Sequence, residues 1–145
     1  MTVIFSKKCE LGLQSVLFLS TKEKGRLFSA TEVSKELQQP KEFVSKMLQR
    51  LTSSGIVGSR KGKNGGFYLA KDPGDIKLID IVAAIDGLEV FNSCVLGFPG
   101  CGTHEPCPVH NKWGKLRSEA HKMLSEETLE GLKDQTINKL KSMSV

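Results

Sequence analysis

Between Ser29 and Ala70 the sequence writes two helices, a tight turn and a glycine-tipped hairpin in immediate succession. Few folds accept that order. Ser29-Ala-Thr-Glu32 has the capping-box pattern, in which Ser29 and Glu32 satisfy each other's backbone donors. Ala30, Val33 and Leu37 then give a short helix one apolar face, and Gln38-Gln39-Pro40 breaks it. Pro40 suits the first position of the next helix, where its missing N–H costs nothing. Phe43, Val44, Met47, Leu48 and Leu51 form one apolar stripe along that helix, and Gly55 offers a left-handed stop. Ile56 to Ser59 and Phe67 to Ala70 read as two short strands around Arg60-Lys-Gly-Lys-Asn-Gly-Gly66.

This order is that of a winged helix-turn-helix. A helix fits the major groove of DNA, and the exposed side of residues 41–50 offers charged and amide groups to base edges and phosphates. We expect Lys41, Ser45, Lys46, Gln49 and Arg50 to face double-stranded DNA there. In the wing, Arg60, Lys61, Lys63 and Asn64 are expected to meet phosphates or a minor groove. Charge agrees. Residues 1–75 hold 13 basic and 7 acidic groups, whereas residues 76–145 hold 8 and 9. The basic excess is confined to the half that carries the motif, as a polyanionic partner requires.

The remaining elements are coarser. Leu13, Val16, Leu17 and Ser20 recur at helical spacing in an N-terminal helix, and Leu78, Ile79, Val82, Ala83 and Ile85 in another that Gly87 closes. Trp113, Leu116, Ala120 and Met123 with Leu124 mark a long helix, and Ser125 is expected to cap a final one bearing Leu129, Leu132 and Leu140. The fold class is therefore mainly α with a small β-hairpin. The expected domains are 1–88 for DNA, 89–110 as a cysteine-rich loop and 111–145 as a long helix with a C-terminal helix.

Residues 92–109 hold three prolines, three glycines and three cysteines, a loop too long to be idle. Cys94, Cys101, Cys107 and His110 are separated by six, five and two residues. Soft thiolates suit zinc or an iron–sulfur cluster. The paired C-x-x-C knuckles of structural zinc sites are absent, and widely spaced cysteines in a Gly/Pro-rich loop can wrap a larger object than one ion. Three thiolates and a weaker fourth ligand leave a reactive corner, which is how a sensor is built. The fourth ligand is open among His110, His104, and Glu10 or Cys9 on the first helix, reaching across to a partner subunit.

Enzyme readings lack support. Neither G-x-G-x-x-G nor G-x-x-x-x-G-K-[ST] occurs in its structural setting, and no C-x-x-C pair or evident base accompanies the thiols. No apolar run, Val16 to Leu19 included, approaches a membrane span, and the N-terminus has no signal-like leader, so a cytoplasmic protein with no membrane partner is expected.

Taken together, the chain resembles the Rrf2 family of bacterial winged-helix regulators, with its IscR and NsrR branches. The resemblance rests on Leu11-Gly-Leu13, Phe43-Val-Ser-Lys-Met-Leu48, Ser54-Gly-Ile-Val57, Gly62-Lys-Asn-Gly-Gly-Phe-Tyr-Leu-Ala70, Ile79-Asp-Ile-Val82 and the cysteine set followed by Trp113. It implies a homodimer built on the long helix after the cysteine loop. It also implies a palindromic operator and a cluster, 2Fe-2S or 4Fe-4S, whose state sets operator affinity in answer to redox state, nitric oxide or cluster supply. His110 falls where the IscR branch has its histidine ligand, and Glu10 where the NsrR branch has a carboxylate from the other subunit. Two departures stand out. The first cysteine gap is six residues where those branches have five, and Ser45 replaces a glutamate of the IscR branch that discriminates between operators. The alternative is a cluster-free or zinc-bound regulator controlled by thiol oxidation or a protein partner.

Overall fold

The computed structural model describes residues 4–98 and 105–143. Helix α1 (Lys7–Ser20) runs through the middle, packed against α3 (Lys41–Ser53), α4 (Leu78–Ile85) and α6 (Lys133–Met143). Being enclosed by several elements, it buries Cys9, Leu11, Ser15, Val16, Phe18 and Leu19, a broader face than the expected stripe. Leu13 and Leu17 lie at the core's edge. Gly12 permits the close crossing with α4, for a Cβ there would sit 2.1 Å from Ile85 Cδ1.

Helix α2 (Ala30–Leu37) starts with the expected capping box: Ser29 Oγ accepts from the Glu32 N–H at 3.1 Å and Glu32 Oε1 from the Ser29 N–H at 3.3 Å. Gln38 turns the chain with a left-handed φ of 56°. Pro40 caps α3 from one position earlier than expected. The α3 stripe is as read, with Val44, Met47, Leu48 and Leu51 buried. Gly55 has φ 85°, and the Gly55 and Ile56 N–H groups donate to Thr52 O and Leu51 O, the Schellman pattern.

Strands β1 (Val57–Arg60) and β2 (Gly66–Leu69) pair antiparallel, Val57 opposite Leu69 and Arg60 opposite Gly66. Each sits one residue from its expected place, because Ile56 is taken up in closing α3. Phe28 pairs with Phe67 through two backbone bonds of 2.9 and 2.7 Å, which pins the wing to the residue before the α2 cap.

Helix α5 (His110–Glu126) follows the cysteine loop. The expected helix start at Ser125 is corrected: Ser125 lies in the last turn of α5, and α6 begins only at Lys133. Between them the chain pairs with the stretch before α4. Leu78 N–H donates to Glu127 O, Leu129 N–H donates to Ile76 O, and Leu129 is fully buried. That isolated pairing has no periodicity for a sequence pattern to show. Among the described residues no helix is long and apolar enough to cross a membrane.

Candidate nucleic-acid interface and cysteine-lined site

The thirteen residues of α3 extend about 20 Å at 1.5 Å per residue. Burying Val44, Leu48 and Leu51 turns Lys41, Lys46, Gln49 and Arg50 outward, while Ser45 is half-buried and accepts from Gln49 Nε2 at 3.3 Å. Arg60, Lys61, Lys63 and Asn64 are exposed on the wing. Among the described residues none of Lys41, Lys46, Arg60, Lys61 and Lys63 is ion-paired, so their charge is available to an outside anion. Helix and wing meet in a groove of about 500 Å³ lined by Gln49, Thr52, Ser59, Arg60 and Lys61, with Ser29 at its edge. A second recess, of about 700 Å³, brings Lys8 of α1 beside Lys46 and Arg50. Sequence reasoning missed Lys8, Ser29, Thr52 and Ser59. Of these only Ser29 had a local signal, as a cap.

Arg50 differs from the other basic groups. Its Nε and Nη2 donate to Ala84 O and Ile85 O, each at 3.3 Å.

The second constellation lies at the start of α5. Cys94 is buried just after a short 3-10 turn, and Cys107 is half-buried ahead of α5. The two thiols are neighbours. Burial pushes the Cys94 thiol up, but the neighbouring Cys107 and the backbone of residues 96–98 outweigh it and hold the thiol below its ordinary value. The surrounding frame is tied together by hydrogen bonds. Trp113 Nε1 and Arg117 Nη1 both donate to Ser93 O, at 2.9 and 3.3 Å, locking the residue before Cys94 onto α5. The His110 N–H donates to Cys107 O at 3.0 Å, which sets His110 one turn from that cysteine. The sole tryptophan was legible as an apolar residue, but its indole N–H serves the loop.

Cys101 and His104 lie outside the described residues, and among the described ones no three His, Cys, Asp or Glu groups assemble around a metal position. The donors that are described suit a soft metal centre in kind: two neighbouring thiols, Cys94 and Cys107, at the start of α5. Glu10 sits partly exposed in the first turn of α1, 3.8 Å from Lys7 Nζ. Cys9 is withdrawn as a ligand. It is fully buried, and burial, with Asp86 and Glu10 nearby, pushes its thiol to about 12.

The model of the Rrf2 family, described as iron-dependent transcriptional regulators, matches residues 5–135. The chain belongs to the Rrf2 family. A relative in Aquifex aeolicus (strain VF5), named as an HTH-type transcriptional regulator, is 31% identical over 90% of this chain and 91% of its own. Among solved structures, CymR, the global cysteine regulator of B. subtilis, covers 92% of this chain and 98% of its own at TM-score 0.76 and 21% identity. The IscR of T. potens covers 90% and 85% at TM-score 0.69 and 22% identity. This Rrf2 protein is thus a winged-helix transcriptional regulator and not an enzyme.

Proposed function

We propose that the chain is a homodimeric regulator whose affinity for a palindromic DNA operator is set by an iron–sulfur cluster at the root of α5. The observation that carries this reading is the placing of Cys94 and Cys107 next to each other at the start of α5, on a loop tied to that helix by Trp113 and Arg117. Cys94, Cys101 and Cys107 would hold the cluster, with His110, or Glu10 of a second copy, as the exchangeable fourth ligand. When bound, such a group supplies a centre that answers redox state, nitric oxide or cluster supply. This chain's residues do the rest. Lys41, Ser45, Lys46 and Gln49 meet the major groove, and Arg60, Lys61, Lys63 and Asn64 meet the backbone or minor groove.

The division of labour follows. Residues 1–88 bind DNA, 89–110 sense, and 111–145 join two copies. Support for the last comes from α5, which buries only Leu124 while Leu116 and Met123 stand 58% and 50% exposed on its open side. Such a stripe is the natural face for a second copy. We place the protein in the cytoplasm with its DNA.

A second reading has its own support. The likeness to CymR, solved also in an oxidised form in Staphylococcus aureus, and the neighbouring thiols favour a cluster-free or zinc-bound regulator governed by thiol oxidation or a protein partner. One preparation separates the two. Anaerobically purified protein is analysed for its visible spectrum, iron, acid-labile sulfide and zinc, and for binding to DNA fragments before and after air or nitric oxide. Brown protein with iron and sulfide, changing DNA affinity on exposure, is expected. Colourless protein, with or without zinc, would overturn the cluster reading and select the second.

A further inference from the structure

Arg50 belongs to the basic run on the outer side of α3, yet two of its nitrogens donate to the carbonyls of Ala84 and Ile85, the last two residues of α4. Those carbonyls have no partner within their own helix, and a cation there also meets the negative end of the helix dipole. The next residue, Asp86, holds another element. Its carboxylate accepts from the Ser6 N–H at 2.8 Å and from Ser6 Oγ–H at 2.5 Å, and Ser6 Oγ accepts from the Cys9 N–H at 3.1 Å to cap α1. The ends of three helices therefore meet on directional polar bonds at residues 84–86.

The need for such bonds follows from the packing. Helix α3 rests on its neighbours through Val44, Met47, Leu48 and Leu51. Apolar contacts set distance well, but they resist sliding and rotation about the helix axis weakly. A guanidinium fork with two acceptors on another helix resists both. We infer that Arg50 is a positioning residue for operator binding: it fixes the seat of α3 through the end of α4, and its charge does not serve the DNA. Asp86, through Ser6, extends the same junction to the first turn of α1. The inference rests on the reading that α3 enters the major groove.

The salt dependence of binding tests it. A lost phosphate contact lowers the slope of log affinity against log salt by about one unit. A lost positioning contact lowers affinity at every salt concentration and leaves the slope alone. The probe is a duplex selected by the wild-type protein from a random-sequence pool. Wild type, Arg50→Lys, Arg50→Met, Asp86→Asn and Lys46→Ala are compared, each first shown by circular dichroism to be folded. Arg50→Lys keeps the charge but loses the fork, so it should bind about ten-fold more weakly, the worth of one hydrogen bond to a charged group. Arg50→Met should match it, both with the wild-type slope, and Asp86→Asn should shift the same way. Wild-type affinity in Arg50→Lys, or a slope about one unit lower in Arg50→Met, would overturn the inference and make Arg50 a phosphate contact or a bystander. Lys46→Ala reports separately on the underlying reading. Its slope should fall by about one unit, and an unchanged slope would remove α3 from the DNA whatever Arg50 does.

Discussion

Replacing Gly66 by alanine asks whether the wing is truly seated on the body. A Cβ there would lie 2.8 Å from Phe28 O, 2.9 Å from Phe28 C and 3.1 Å from Phe28 N. All three are backbone atoms, so no side chain can rotate aside. Relief requires the wing to lift off Phe28, loosening the two backbone bonds to Phe67, each worth about 1 kcal/mol. Gly66 also has φ 157°, a region nearly reserved for glycine, which adds about 1 kcal/mol or more. The sum is about 3 kcal/mol. At about 2–4 °C per kcal/mol for a domain of this size, Tm should fall by about 6–12 °C. Gly62 supplies the control. Its φ is 110°, but nothing lies within 4 Å of its Cβ position, so Gly62→Ala carries only the conformational cost of about 1 kcal/mol. Thermal unfolding of both variants followed by circular dichroism, with DNA affinity measured on the folded proteins, decides the matter. Gly66→Ala should melt well below Gly62→Ala and bind DNA more weakly, because Arg60 and Lys61 leave the groove they share with Gln49. Equal melting temperatures would refute the idea that the wing is held by Phe28.

Three further outcomes are expected. The Cys9 thiol stands at about 12 against an ordinary 9.0, so the fold favours its neutral form. That contribution is complete below pH 9 and is lost as pH rises from 9 towards 12, with a slope approaching about 1.4 kcal/mol per pH unit. Urea unfolding above pH 9 should show the decline in wild type and a flatter profile in Cys9→Ala, and parallel profiles would contradict it. Leu116→Asp puts a charge on the open side of α5 without touching the chain's own core. It should yield folded monomers in sedimentation velocity, whereas a persistent dimer would move the interface elsewhere. Cys107→Ala should retain the helical circular dichroism spectrum and lose its iron and sulfide, and full iron content in that variant would remove Cys107 from the ligand set.

What could be read from sequence was what acts within about four residues. The Ser29–Glu32 box, the Gly55 stop and the 43–51 stripe are local devices, and each stands as read. The hairpin was visible but shifted by one residue, because helix cap and strand compete for Ile56. Long-range facts were hidden. Arg50 finds its acceptors 34 and 35 residues away, a pairing no local pattern announces. Cys9 looked like a spare ligand until α1 proved to be enclosed on several sides. In the cysteine site, residue types and spacing were legible, but the Trp113 and Arg117 bonds to Ser93 that orient the loop follow from how α5 folds back on it.

That folding back gives α5 a mechanical character. Trp113 and Arg117 fasten its first half to Ser93, and the residues just beyond its end are stitched to Ile76 and Leu78 on the other side of α4. A rod clamped at both ends to one body behaves as a beam and not as a hinge. A sideways load near Leu116 or Met123 is shared by two supports, one beside Cys94 and one at the foot of α4, the same helix whose far end carries Arg50. The middle of the beam is thus connected by hydrogen bonds both to the residue before Cys94 and, through the foot of α4, to the helix whose far end accepts from Arg50.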